Sequence, residues 1–254
     1  MAMPKTPSFQ LTGRRAVITG ASRGIGLAAA AALAEYGAEL TLIARNSDEL
    51  NAACKEINDQ GGNATAHVMD VTDTDAMNAF FNDSKAFDIL VNNAGMNRPA
   101  PAIDVTQDDF EKIMDLNVKA AFFMSQGTAK RWIDEGKSGS IINVSSQMGH
   151  VGGIERSVYC ASKHAMEGFT KSMALEWGEH GIRVNTVSPT FIETEMAKST
   201  LERPEMRDWV LSNIALGRVG QIEDIMGAII FLASDASAMV TGSSLRVDGA
   251  WTSA

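Results

Sequence analysis

The chain has 254 residues, 45% of them hydrophobic, enough for one large α/β domain with a sizeable core. Its net charge of −9, from 22 Lys+Arg against 31 Asp+Glu with no basic tract, favours solubility and argues against a nucleic-acid or anionic-membrane surface. Cys54 and Cys160 are too few for a disulfide framework and sit in no metal-binding cluster, so no metal is expected. MAMPKTPSFQ carries no signal-peptide core and no apolar run reaches membrane-span length, so a cytoplasmic location is expected.

RAVIT at Arg15–Thr19 reads as a strand, GASRGIG as a glycine turn, and the alanine-rich segment Leu27 to Tyr36 as a helix. ELTLIAR at Glu39 to Arg45 is a second strand, followed by a helix over Ser47 to Gln60. ATAHVMD (Ala64 to Asp70), a helix opening near Thr72 and FDILVNNAG (Phe87 to Gly95) continue the alternation. Thr106 with Asp109 three residues later resembles a capping box, opening a long helical region through Asn117 to about Glu135. GSIINVSS (Gly139 to Ser146) and IRVNTVSP (Ile182 to Pro189) are strands five and six, with a helix containing SVYCASKHAMEGF between them.

After Pro189 the alternation lapses over residues 190–220, a candidate substrate lid. A helix at Ile222 to Ala233 and a strand at Ser243 to Val247 complete the pattern. No linker or repeat divides residues 1–254. The expected fold is a single doubly wound Rossmann-type α/β domain, a seven-stranded parallel sheet with helices on both faces.

Gly20, Gly24 and Gly26 sit between strand one and its helix. Glycine there permits a tight turn, lets backbone approach a pyrophosphate and leaves the helix N-terminus free to receive negative charge. The spacing differs from G-x-G-x-x-G, so the motif alone also fits a purely structural turn. A carboxylate at the end of strand two would mark a free ribose 2′-hydroxyl, but Ala44-Arg45-Asn46 stands there. Arg45 and Arg23 can both reach a 2′-phosphate, which favours NADP(H) and leaves NAD(H) as the alternative.

Tyr159 and Lys163 are four residues apart, so on a helix they share a face. A nearby cation favours a phenolate and brings tyrosine towards working range as an acid/base; a half-buried helix face with a solvated charge would show the same spacing.

TGASRGIG at Thr19 to Gly26, NNAG at Asn92 to Gly95, Asn117, Ser146 and YCASK at Tyr159 to Lys163 occur in one order, and on them the chain resembles the short-chain dehydrogenase/reductase family, in the branch of about this length, from Thr19 almost to the C-terminus. The resemblance implies a catalytic Ser146-Tyr159-Lys163-Asn117 tetrad. Tyr159 would be the acid/base; Lys163 would lower its pKa and hold the nicotinamide ribose. Ser146 would hydrogen-bond the reacting oxygen, and Asn117 would hold a water leading from Lys163 to solvent. It also implies cofactor contacts from Gly20, Ser22, Arg23, Gly24, Ile25, Gly26, Asp70, Val71, Asn93, Ala94, Gly95, Pro189, Ile192 and Thr194, besides Tyr159 and Lys163. Family spacing selects Ser146 over Ser145, which is read as a strand-end hydrogen-bonding residue. Asn93 also fits structural turn bonding. Thr190 stands where the family commonly has glycine, which puts the backbone beside the nicotinamide in question.

The motif-flanking segments are rich in polar groups, among them Asn97, Arg98, Gln147, His150, Glu155, Arg156 and Glu193. Arg98, Gln147, His150 and Arg156 are the substrate candidates. Such groups suit a polyol, sugar or sugar acid, with an arginine for any carboxylate. The implied activity is NADP(H)-dependent interconversion of a secondary alcohol and a ketone. The alternatives are a 3-oxoacyl-[acyl-carrier-protein] reductase, for which the acidic balance supplies no obvious docking face, and a nucleotide-sensing regulatory protein. Homotetramerisation is expected from the resemblance, with no nucleic-acid or membrane partner.

Overall fold

The computed structural model describes residues 3–253. Strand β1 (Arg15–Thr19) is buried along nearly its whole length, because its alternating side chains serve two different helical layers. Ala16 and Ile18 pack into one core, and Val17 into the other. The remaining strands are β2 (Glu39–Ala44), β3 (Asn63–Val68), β4 (Ile89–Asn92), β5 (Gly139–Val144), β6 (Ile182–Pro189) and β7 (Ser244–Val247). They form a seven-stranded sheet in the order β3-β2-β1-β4-β5-β6-β7, parallel at every pairing. The order reverses between β1 and β4, which opens a crevice beyond their carboxyl ends.

Helices α1 (Gly24–Glu35), α2 (Ser47–Asp59) and α9 (Glu223–Ala233) cover one face through Leu33, Leu50 and Ile229. Helices α3 (Thr74–Asp83), α5 (Ala121–Asp134) and α6 (Ser157–Trp177) cover the other through Phe80, Met124, Trp132 and Met173. Asn46 caps α2 by accepting from the Asp48 and Glu49 N–H groups at 3.0 and 3.2 Å, and Asp73 caps α3 likewise. Among the described residues, no helix is long and apolar enough to cross a membrane.

Two features of the structure bear on the site. The helical region after Thr106 runs unbroken over residues 107–134, as expected, but not as one regular α-helix. The cap is present, Thr106 Oγ1 accepting from the Asp109 N–H at 3.1 Å, but α4 (Gln107–Met114) passes into a π-helical turn, Asp115–Ala120, before α5. That wide turn sets Asn117 against the backbone of Met96, a placement for which such turns are common at functional sites. The segment over 190–220, where the strand–helix alternation lapses, contains two short helices, α7 (Glu195–Leu201) and α8 (Pro204–Asn213), with Pro204 at the helix start, where its missing N–H costs nothing. It has its own small core of Phe191, Val210, Ile214 and Trp251, in which Trp251 stacks on Phe191 at 5.7 Å and meets Trp209 edge-on at 5.2 Å.

Candidate active site

The carboxyl end of β5 and the start of α6 bring Ser145, Ser146, Gln147, Arg156 and Tyr159 around one cavity of about 90 Å³, which Asn97, Thr190 and Phe191 also line. Lys163, one turn past Tyr159, is only 4% exposed. Its ammonium donates to the Val144 carbonyl at 2.8 Å and lies 5.7 Å from the centre of the Tyr159 ring. Burial pulls its pKa down to about 8, against an opposing pull from Glu167 one turn further along the helix. Burial pushes the Tyr159 phenol upward, while Ser146 and Arg156 draw it back. A bare tyrosine here resists ionisation, and the charge that counters its burial is that of Arg156.

Ser146 lies beside the phenol, but its own hydroxyl donates to Gln147 Oε1 at 2.8 Å and accepts from the Met148 N–H. Ser145 was expected to bond at the strand end. Its N–H does so, to Val187 O at 2.8 Å, whereas its hydroxyl is buried without a partner. Asn117 is fully buried, and both ends of its amide are committed: Oδ1 accepts from Met96 N, and Nδ2 donates to Met96 O and to Ser162 Oγ. Its side chain braces the loop after β4 against α6.

At the opposite end of the crevice, Gly20 (φ +64°) and Gly24 (φ +56°) curl the chain from β1 into α1 in a conformation that disfavours side chains. A Cβ on Gly26 would stand 2.2 Å from Gly20 O and 2.4 Å from Asn93 Nδ2. Helix α1 begins with no side-chain cap and no acid in its first turn, so its leading N–H groups and positive end stay free for an anion. Those features, with Ser22, Arg23 and Ile25 at the turn and Arg45 at the end of β2, form a donor set that fits a dinucleotide bearing an extra phosphate.

Each of the two arginines already has a carboxylate beside it. Arg45 Nη1 lies 3.7 Å from Asp70 Oδ2, and Arg23 Nη1 lies 3.8 Å from Glu49 Oε1. Glu49 also accepts from Ser22 Oγ at 3.2 Å. It was not foreseen. The signal was its position four residues after Arg45 in the first turn of α2, which the Asn46 cap points back at the glycine turn. Asp70 is chiefly a turn former: burial acts to raise its pKa, but hydrogen bonds from Thr72 and the Arg45 charge outweigh that and hold it below the usual range. Val71 is buried in the core.

Asn93 donates to Thr19 O and Gly20 O at 3.1 and 2.9 Å, while the Asn93 and Ala94 N–H groups both donate to Thr19 Oγ1. Its amide holds the glycine turn in place rather than projecting from it. Gly95 lies against Asn117, and Pro189, Ile192 and Thr194 line the cavity. Thr190 raises no backbone difficulty. Among the described residues, only Glu155 and Ala250 are non-glycines in the left-handed region, and the Thr190 N–H pairs with Val247 O at 3.1 Å.

Two of the four substrate candidates do not line this cavity. Arg98 is ion-paired with Asp109 and Asp108 at the start of α4 and lines a small neighbouring recess that Arg156 and Tyr159 also line. His150 points away from the cavity, its Nε2 at 2.9 Å from Ser244 Oγ and 3.4 Å from Glu167 Oε1. There it joins a buried network in which Glu167 accepts from Thr186 and Ser188. Chain proximity to the motif brought both residues into consideration, but local carboxylates decide where each side chain turns. Gln147 and Arg156 do line the cavity. Burial pushes the Cys160 thiol up, in keeping with an inert packing role.

A family model described as enoyl-(acyl carrier protein) reductase matches residues 20–252. The gluconate 5-dehydrogenase of Gluconobacter oxydans (strain 621H) is 41% identical over 248 residues, covering 96% of this chain and 96% of that protein. The D-erythrulose reductase of Gallus gallus is 38% identical over 243 residues, covering 96% of this chain and 97% of the relative. Among solved structures, a gluconate 5-dehydrogenase from Burkholderia cenocepacia J2315 in complex with NADP and tartrate superposes with a TM-score of 0.92 at 38% identity, covering 97% of this chain and 98% of that one.

Proposed function

The chain belongs to the short-chain dehydrogenase/reductase family, and on that premise we propose that it is an NADP(H)-dependent oxidoreductase interconverting a secondary alcohol and a ketone on a polar polyol, sugar or sugar-acid substrate. The observation that carries the reading is the cluster of Tyr159, Lys163 and Ser146 at the carboxyl edge of the sheet, bordering a cavity of mixed polar and apolar lining that shares its crevice with the glycine turn. The substrates named for the relatives, gluconate and erythrulose, support the substrate class, and the NADP of the B. cenocepacia structure supports the cofactor.

The nicotinamide cofactor, when bound, donates or accepts the hydride. The protein's residues manage the proton and the geometry. Tyr159 gives its phenolic proton to the carbonyl oxygen during reduction and takes the hydroxyl proton during oxidation. Lys163, buried and held by Val144 O, presents a cation beneath the phenol that favours the phenolate. Ser146 turns its hydroxyl from Gln147 towards the reacting oxygen. Asn117 fixes the loop carrying Met96 and Asn97 against α6 through Ser162. Arg23, Arg45 and the free end of α1 hold the phosphates, and the 190–220 segment closes over the cavity as a lid, excluding water.

The finer assignments, a homotetramer in the cytoplasm, belong to the same proposal. Support for assembly comes from an apolar groove of about 330 Å³ between α5 and α6, lined by Phe122, Phe169, Met173 and Trp177, with Leu175 86% exposed beside it. The deciding experiment for the activity is Tyr159→Phe. Turnover should fall at least about 1000-fold while NADPH binding, read by fluorescence, stays within about threefold. A variant that keeps its turnover refutes the mechanism.

A further inference from the structure

Arg156 is 5% exposed, and among the described residues no carboxylate makes a salt bridge to it. Its chain neighbour Glu155 is spent on Arg203, at 3.0 Å. The guanidinium Cζ sits 5.6 Å from the centre of the Phe191 ring, and Nη2 donates to Thr200 Oγ1 of α7 at 2.7 Å. Nη1 is buried with no partner at all. Burying a guanidinium without a counter-anion is costly, and the fold could have avoided that cost with a neutral side chain. An anion that arrives with the substrate resolves the imbalance.

The position fits that role. Arg156 precedes Tyr159 by one helical turn and lines the same cavity. Asn97 Oδ1 and Thr190 Oγ1, of two other residues lining it, are also buried without partners. A cation beside a free amide oxygen and a free hydroxyl complements a molecule carrying a carboxylate and several hydroxyls.

Resting on the dehydrogenase reading of Tyr159, we infer that Arg156 is the anchor for a substrate carboxylate, and that the enzyme selects hydroxy acids of the aldonate class over neutral polyols. The forked guanidinium divides its work: Nη2 stays tied to the lid through Thr200, and Nη1 receives the carboxylate, so the substrate's charge is held between α6 and α7. Arg98, the other arginine near the site, is neutralised by its two aspartates and competes poorly for an anion.

The test pairs aldonates (D-gluconate, D-galactonate, L-threonate) with alditols (D-glucitol, galactitol, L-threitol) in NADP⁺ reduction. The ratio of kcat/KM for acid over alditol should fall about 100-fold in Arg156→Gln and by a smaller factor in Arg156→Lys, which keeps the charge but loses the fork. A ratio unchanged within about threefold in Arg156→Gln overturns the assignment. Binding is read separately from thermal shifts of the NADPH-loaded protein, in which aldonates cannot be oxidised, the wild type alone testing acids against alditols. Aldonates should raise Tm where alditols do not, and Arg156→Gln should remove the difference. Equal shifts from acids and alditols overturn the anchor. A wild type that oxidises nothing in the panel, yet shows the Arg156-dependent aldonate shift, refutes the dehydrogenase reading while retaining the anion site.

Discussion

Replacing Lys163 by Met should make the cofactor-free protein more stable at neutral pH, although it removes the cation that the proposed mechanism sets beneath Tyr159. A lysine held at about 8 instead of 10.5 makes the folded state costlier by about 3 kcal/mol while both forms of the chain carry the charge. Methionine removes that cost and fits the length of the stem, but it orphans the Val144 carbonyl, which now accepts from Nζ at 2.8 Å. The orphaned acceptor costs about 1–2 kcal/mol. The variant should therefore lead by about 1–2 kcal/mol at pH 7.

The pH dependence supplies the sharper check. Between pH 8 and 10.5 the unfolded wild-type chain binds the proton and the folded one does not, so wild-type stability rises with pH across that window. The variant has no such group. Its lead should be fully present below pH 8, vanish near about pH 9, and become a deficit of about 1–2 kcal/mol by pH 10.5, above which the gap is constant. Urea unfolding at one protein concentration, repeated over this range, measures the gap. A gap that stays constant between pH 7.5 and 10.5 refutes the depressed pKa, and with it the picture of a cation retained at a folding cost for its effect on the phenol.

Glu49→Gln should tighten NADPH binding about three- to tenfold, because it removes a carboxylate that competes with a 2′-phosphate for Arg23. Unchanged or weaker binding by fluorescence titration would place Glu49 on the ribose instead. Gly26→Ala should destabilise the fold by about 1–3 kcal/mol and abolish NADPH binding, since its Cβ would meet the Gly20 carbonyl at 2.2 Å, backbone that cannot move aside. Wild-type affinity in that variant would contradict the packing. Leu175→Glu should split the proposed homotetramer, read as a smaller mass by light scattering, with the fold intact by circular dichroism. An unchanged mass would move the interface away from the α5–α6 face.

What sequence alone could reach, and what it could not, divides along a physical line. Strand β1, the glycine turn and α1 were legible because hydrophobic run, turn and alanine-rich helix each impose their own backbone geometry within a few residues. The Tyr159–Lys163 pairing was legible for the same reason, since helical periodicity alone puts them on one face. Continued by one more turn, that periodicity reaches Glu167, the group that opposes the burial effect on Lys163; the signal was present and unused. Polar side chains in loops obey no such period. Arg98 and Arg156 are both long cations near the same motif, yet Arg98 turns to Asp108 and Asp109 in the first turn of α4, while Arg156 starts a helix whose neighbouring acid is claimed by Arg203. The competition between intramolecular carboxylates and an incoming ligand thus separates them, and it depends on distances set by elements far apart in the chain. Arg23 and Arg45 lie between the two cases: their carboxylate partners are near, but both side chains are largely exposed, so the pairs are weak and an arriving phosphate can displace them. An arginine left buried with one nitrogen unpartnered is then the most informative of the four, because no intramolecular carboxylate competes with a ligand for it.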